Sequence, residues 1–306
     1  MPGEPMSGEP IRYIERTRSY YAALGYGAPY RWARFETVPF LPVGRPLAAC
    51  RIGLVTTAAP VKPGAGDQGP GAAYNAKAKF YKVYSGPADG PLPDLRISHL
   101  AIDRDHTTAE DLGSYFPLAA LRRAAAAGRI GAVGPRFHGL PTNRSQATTM
   151  EVDCPELLAR CREDRLDAVL LVANCPVCHQ STALAARALE AGGIPAAVLG
   201  CARDIVEIVG VSRFVFSDFP LGNAAGPPHD PAGQDATLAL ALGLLETATG
   251  PRSTVASPLR WPGDPGWKRD YCNIERLSAE EIAARRAAFD AGKREAKRLR
   301  EETPPA

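Results

Sequence analysis

Two cysteines and a histidine stand together in CPVCH (Cys175 to His179), within the stretch DAVLLVANCPVCHQSTALAARALEAGGIP. Three chemistries use this spacing. C-x-x-C-H is the attachment signature of a c-type haem, C-x-x-C is a redox dithiol, and two thiols with an imidazole can hold a metal. Cys50, Cys154, Cys161, Cys201 and Cys272 bring the total to seven, an odd number and a small one for 306 residues. Such usage favours free thiols in a reducing compartment over structural disulfides. The start, MPGEPMSGEP, has no apolar targeting core, and no run approaches the length of a membrane span. The expectation is therefore a cytoplasmic protein. Haem attachment normally needs export, which places that reading third.

The position of the motif separates the other two. DAVLLVAN (Asp167 to Asn174) is a continuous apolar run, as expected of a strand buried on both faces. CPVCH then lies where that strand ends and a helix begins. Ligands and catalytic groups collect at the carboxyl ends of strands in an open α/β sheet. A thiol at a helix start meets unpaired N–H groups and the positive end of the dipole, and so ionises more readily. Pro176 suits the first helical position, where a missing N–H costs little. Cys175 is expected to be the more exposed, attacking thiol, and Cys178, one turn on, the resolving thiol. His179 either hydrogen-bonds a thiolate or packs beside it. Inert packing of the pair is the bland alternative, since cysteine is a common core residue.

A structural zinc site needs further ligands in a comparable motif, and none of the other cysteines supplies one. Cys154 and Cys161, seven apart, share a helix face and are expected to pack. Cys201 follows the strand IPAAVLG directly and is the best third thiol. A metal, if bound, would use Cys175 and Cys178 with His179, Cys201 or His138. Zinc, copper(I) or iron would suit such soft ligands.

The elements that must position these groups alternate along the chain. Ile11 to Leu24 reads as a helix, followed by a Pro-rich lead-in. CRIGLVTTA (Cys50 to Ala58), DLRISHLAI (Asp94 to Ile102), IGAVGPRFHGL (Ile130 to Leu140), DAVLLVAN, IPAAVLG and RFVFSDF read as strands. Helices are expected over Tyr115–Arg129, Cys154–Asp164, Ser181–Ala191, Asp204–Val209 and Gln234–Thr247. The pattern predicts an α/β fold, a mainly parallel sheet with helices on both faces, with two similar lobes left open. A capping box at Ser278 and Glu281 opens a charged C-terminal helix ending near Arg300. Its charge reads as a solvated face, with a partner-docking arm as the alternative. The domain reading is a lead-in over residues 1–46, an α/β domain over 47–250 and an extension over 251–306.

Hydrophobic residues at 45% and charged residues at 23% are those of an ordinary globular protein. A formal net charge of +3, without a basic patch interleaved with aromatics, excludes nucleic acid as the expected partner.

With these residues in view, a family resemblance emerges. The strand, C-x-x-C-H and the Ala-rich helix ending GGIP (Val169 to Pro195) resemble the selenoprotein B family of glycine, sarcosine, betaine and D-proline reductases. The D-proline reductase small-subunit branch is the most similar in character. RIGLVTTAAPV (Arg51 to Val61) and ISHLAIDRDHTTAEDLGSYFPLAALRRAAAAGRIGAVGPRFHG (Ile97 to Gly139), with its DR, FP and G-x-I features in order, add to it. The resemblance runs from about Cys50 to Ala248 and is more specific than C-x-x-C alone.

It implies reductive cleavage of a carbon–heteroatom bond in a small, amino-acid-like substrate. In that family a selenolate at the first motif position attacks carbon, and the neighbouring thiol resolves the adduct. A pyruvoyl group on a separate subunit activates the amine, and an external donor restores the active form. Carried over, Cys175 is the nucleophile and Cys178 the resolving thiol, with His179 tuning or protonating. Asp103, Arg104 and His138 come from the ends of other strands, Arg104 to grip a carboxylate with its planar fork. Asn223 and Gly222, in SDFPLGNAAGPPHDPAG, border the pocket. The loop GAGDQGPG (Gly64 to Gly71) reads as a mobile lid. His99 reads as a core histidine, His106 as solvated and His229 as surface.

Expected partners are the substrate, a thioredoxin-like donor acting as external thiol reductant, and a partner subunit or a second copy of the chain. No intrinsic cofactor is expected, and a metal stays open. Two departures matter. Cysteine stands where the family has selenocysteine, and the chain shows no source of a pyruvoyl group. The alternatives are the metal-dependent enzyme and a non-catalytic subunit of a larger reductase.

Overall fold

The computed structural model describes residues 8–302; the first seven residues of the MPGEPMSGEP start and the last four of the chain lie outside the described residues. Ten strands are present among them: β1 Arg51–Thr56, β2 Ala59–Pro60, β3 Tyr84–Pro87, β4 Leu95–Arg96, β5 Ala132–Val133, β6 Arg136–Gly139, β7 Ala168–Val172, β8 Ala196–Gly200, β9 Arg213–Phe216 and β10 Ser253–Ala256. The helices are α1 Tyr13–Ala23, α2 Leu118–Ala126, the single turn α3 Gln146–Thr148, α4 Cys154–Glu163, α5 Pro176–Ala191, α6 Arg203–Val209, α7 Pro231–Thr247, the short α8 Trp267–Asp270 and α9 Ala279–Glu302.

One continuous sheet runs in the order β10-β9-β8-β7-β1-β6-β3, with β5 also pairing with β1. Its pairs are parallel except β3 with β6. The α/β reading with a mainly parallel sheet therefore holds, with one large sheet rather than two similar lobes and a separate antiparallel pair, β2 with β4. Successive residues of each strand supply opposite cores, because side chains alternate across a pleated strand. Leu54, Leu170, Leu199 and Val215 meet Leu118 and Leu121 of α2 and Leu238 and Leu242 of α7. Val55, Leu171, Val198 and Phe214 meet Leu157 of α4, Leu184 and Leu189 of α5 and Val206 of α6. Cys154 and Cys161 pack in this second core, as their spacing suggested.

Some boundaries differ from the sequence reading. Of DLRISHLAI only Leu95 and Arg96 are strand, pairing with β2; the rest is irregular. The third expected strand splits into β5 and β6, on either side of Gly134 and Pro135. β10 extends the sheet into the segment read as an extension; its half-exposed residues carry no apolar run to announce it. Helix α5 starts at Pro176, five residues before the expected Ser181.

The capping box is present: the Glu281 amide donates to Ser278 Oγ (3.2 Å), and Glu281 Oε2 accepts from the Ser278 amide (2.8 Å). Helix α9 lies against the chain's own N-terminal region, with the Phe289 ring 4.6 Å from Tyr26 and 5.9 Å from Tyr21. Among the described residues no helix is long and apolar enough to cross a membrane.

Candidate functional site

The strand order creates the site. From β1 the chain crosses to β6 on one side and then to β7 on the other. The loops leaving the carboxyl ends of β1 and β7 consequently diverge, which opens a crevice at this topological switch point. Thr57 follows β1 and Asn174 follows β7. They are joined across the crevice by Asn174 Nδ2 donating to Thr57 Oγ1 (3.0 Å).

Cys175 is the N-cap of α5 in extended conformation, and its sulfur accepts the Cys178 amide N–H at 3.3 Å. The two sulfurs, both free thiols, are 2.8 Å apart. Cys175 retains 4% of its surface and Cys178 none, so the first thiol is the one nearer the exterior. Thr142 Oγ1 lies 3.1 Å from Cys178 Sγ. His99 supplies a ring nitrogen within 4.8 Å of both sulfurs. Its Nε2 must carry the proton, because it bonds the Thr57 carbonyl at 2.7 Å and a carbonyl only accepts. Nδ1 is left as the lone pair.

The pair titrates as a unit. Burial pushes the Cys178 thiol up, but the adjacent Cys175 thiol, the nearby His99 ring and the Thr142 hydroxyl outweigh it and hold Cys178 well below the ordinary thiol range. Burial and the adjacent Cys178 sulfur push Cys175 well above it. Cys178 is thus the more acidic thiol of the two.

His179 does not face the sulfurs, which corrects its expected role. Its Nδ1–H donates to the Cys175 carbonyl (2.7 Å), and its Nε2 accepts the amides of Cys201 (2.8 Å) and Ala202 (3.0 Å). Burial lowers the ring to about 4, so it is a neutral brace between α5 and the end of β8. Cys201 likewise offers only its backbone here. Its thiol points toward the Pro220 carbonyl (3.9 Å) and is pushed up to about 12 by burial. The third group beside the dithiol is His99, not His179 or Cys201.

His138 is also placed elsewhere. It is fully buried, with Nδ1 2.8 Å from Ser85 Oγ and Nε2 3.1 Å from Asp164, off the line of a good hydrogen bond. It points into the face covered by α4 because the pleat of β6 turns it away from the crevice.

The other expected residues lie on the loops after β4 and β9. Arg104 Nε donates to the Ala72 carbonyl (2.8 Å) and Nη1 to the Leu100 carbonyl (3.1 Å). Burial lowers its pKa, against an attraction to the Cys175 sulfur that raises it. Lys79 also acts on Cys175 from nearby. Asp103 is buried, with one oxygen held by His106 Nδ1 at 2.9 Å. His106, read as solvated, is instead pinned between Asp103 and Asp270. Asn223 is buried on the loop after β9, donating to Pro220 O (3.1 Å) and accepting from Thr107 (3.5 Å). His229 is exposed, as read.

The glycine-rich loop is tied down at several points. Gly71 N donates to Thr108 O (2.7 Å), and Asn75 Nδ2 to Ala65 O (2.6 Å). With Ile97, Ser98 and Arg104 it lines a cleft outside the dithiol shell, and Cys175 is not on that cleft's wall. The N-terminal segment closes the neighbouring side: Gln180, the residue after the motif, accepts Ala33 N (2.7 Å) and donates to Tyr30 Oη (2.7 Å).

Sequence reasoning missed His99, Thr142 and Thr57. A signal for His99 was present. Leu100, Ala101 and Ile102 are three apolar residues in a row, which breaks strand alternation and leaves His99 outside a regular strand.

Comparison with known proteins returns a relative of part of this chain. The chain is 32% identical over 151 residues to the D-proline reductase subunit gamma of Acetoanaerobium sticklandii. The match takes in 49% of this chain and 62% of the relative, so less than two thirds of that subunit's length is spanned. No protein-family profile matches, and no solved structure matches. The similarity supports a reductase-type relative.

Proposed function

We propose that this chain is a thiol-dependent reductase component that cleaves a carbon–heteroatom bond in a small carboxylate-bearing substrate. The observation that carries the reading is the pair of free sulfurs 2.8 Å apart at the switch point of the sheet. Similarity to a D-proline reductase subunit agrees with it.

The chemistry balances as follows. The Cys175 proton passes across the short S···S contact to Cys178, leaving Cys175 as the thiolate. Cys175 displaces the heteroatom group, forming a C–S bond while the leaving group departs with the bonding pair. His99 Nδ1 takes the proton from Cys178. The Cys178 thiolate then attacks the Cys175 sulfur; an S–S bond forms, and the pair left on carbon takes a proton. The sum is R–X plus two thiols giving R–H, HX and a disulfide, which an external dithiol of thioredoxin type reduces. Arg104 and Lys79, both of which interact electrostatically with Cys175, favour an anionic substrate near it.

A pyruvoyl group on a partner subunit would supply the electron sink that an unactivated amine requires. The residues here fit such a partner in one respect: the thiol meant to meet the electrophile, Cys175, is the one nearer the surface. The relative's description as a subunit supports a partner chain. Seven free cysteines agree with a reducing, cytoplasmic setting.

Mild anaerobic oxidation of reduced protein should remove two thiols and yield a Cys175–Cys178 disulfide on peptide mapping. Cys175→Ser should abolish both that disulfide and substrate turnover. A Cys178→Ser variant that turns over normally with a monothiol reductant would remove the resolving role.

A further inference from the structure

We propose that Cys175, Cys178 and His99 form a zinc-type metal site with one open coordination position, whose occupancy withholds the dithiol from redox turnover. The three ligand atoms lie within 4.8 Å of one another, and all three residues are buried. Two thiolates and one imidazole are a known donor set for zinc with a fourth position open.

The arrangement behind His99 is that of a ligand. Its Nε2–H is spent on the Thr57 carbonyl, so Nδ1 is the lone pair available to a metal. Ligating histidines almost always donate their other ring N–H to a carbonyl or carboxylate in this way. Thr57 is itself held through its hydroxyl by Asn174, the residue before Cys175. The sulfurs have their own donors, the Cys178 amide to Cys175 and the Thr142 hydroxyl beside Cys178.

Charge favours the same conclusion. A divalent cation with two thiolates and a neutral imidazole is neutral overall, whereas a buried dithiolate alone carries two uncompensated charges. Binding gives M²⁺ plus two thiols going to the dithiolate complex and two protons. Around a tetrahedral zinc with Zn–S of about 2.3 Å, the sulfurs would stand roughly 3.7 Å apart. They must therefore separate by about 1 Å, a rotamer adjustment of Cys175 at the helix cap. The open position would leave the metal accessible from the Cys175 side and exchangeable. The regulatory part rests on the reductase reading; the site itself rests on the ligand geometry.

The test uses the reduced, metal-stripped full chain under anaerobic conditions, titrated with Co²⁺. One equivalent should produce a thiolate-to-cobalt charge-transfer band that Zn²⁺ displaces. His99→Ala and His99→Gln, each checked for native circular dichroism, should weaken Co²⁺ binding at least tenfold, and Cys175→Ser should lose the band. Absence of the band, or equal affinity in both His99 variants, overturns the site. Zn²⁺ should also slow Cys175–Cys178 disulfide formation at least tenfold; an unchanged rate overturns the regulatory role. A disulfide in metal-free protein without any cobalt band sinks the metal site and spares the reductase. The cobalt band without any disulfide does the reverse.

Discussion

The two sulfurs of CPVCH are 2.8 Å apart, and the residues around them decide which is the more acidic. Thr142 and His99 both act on Cys178, and both are a long way from it in sequence. Removing a donor from a thiolate raises its pKa, because the charged form loses stabilisation while the thiol does not. Thr142→Val should move the first thiolate titration, followed by ultraviolet absorbance, upward by about one unit. A titration unmoved in this variant would remove Thr142 from the groups that set the charge. The CPVCH motif announced the dithiol but assigned its histidine wrongly. His179 is adjacent in sequence, yet one helical residue turns it inward to the backbone of Cys201 and Ala202.

At the scale of elements, α5 is fixed to the sheet by that same ring. Gly200, at the end of β8, leaves the space: a Cβ there would lie 2.6 Å from His179 Cδ2. Gly200→Ala should push the ring off its three backbone partners and destabilise the protein by about 1–3 kcal/mol, read from the urea midpoint. It should also disturb the Cys175 cap, since the ring holds the Cys175 carbonyl. Wild-type stability in this variant would show that the ring has room the packing denies it. Helices and buried strands were legible because their periodicity reflects a face or two faces against a core. β4 and β10 were not, because short strands at a margin are set by their neighbours rather than by their own pattern.

Taking the whole molecule, two features away from the crevice set its behaviour in solution. His138 sits beneath α4 with Asp164, Arg136 and Arg160 around it, and burial lowers its pKa to about 4. The unfolded ring takes a proton near 6.5, the native ring only near 4. The stability it contributes is full above about 6.5 and is lost as pH falls through the native value, up to about 3 kcal/mol. His138→Gln should flatten the fall in urea midpoint between those two pH values; an identical slope would assign the acid loss to other groups. Helix α9 binds the N-terminal region through Phe289, Tyr21 and Tyr26, and Gly292 approaches Tyr74. Truncation after Leu277 should raise hydrogen exchange over residues 13–26 and 74–78 while the parallel strands stay protected. Loss of protection in β7 and β8 would instead make α9 part of the core.

Sequence alone determined that a dithiol stands at a strand-to-helix turn, because an apolar run, Pro176 at the helix start and C-x-x-C spacing are all local. It also determined the α/β class, through alternation of strand and helix patterns. It could not determine which strand lies beside β7. Only the tertiary structure placed β1 there, and with it Thr57, whose carbonyl holds His99 beside the sulfurs. Nor could it say that His138 turns away to Ser85 and Asp164 while Arg104 is held by the Ala72 and Leu100 carbonyls. Those outcomes depend on strand order and on the path of irregular loops, which are fixed by packing between segments far apart in the chain and leave no periodic trace in either one.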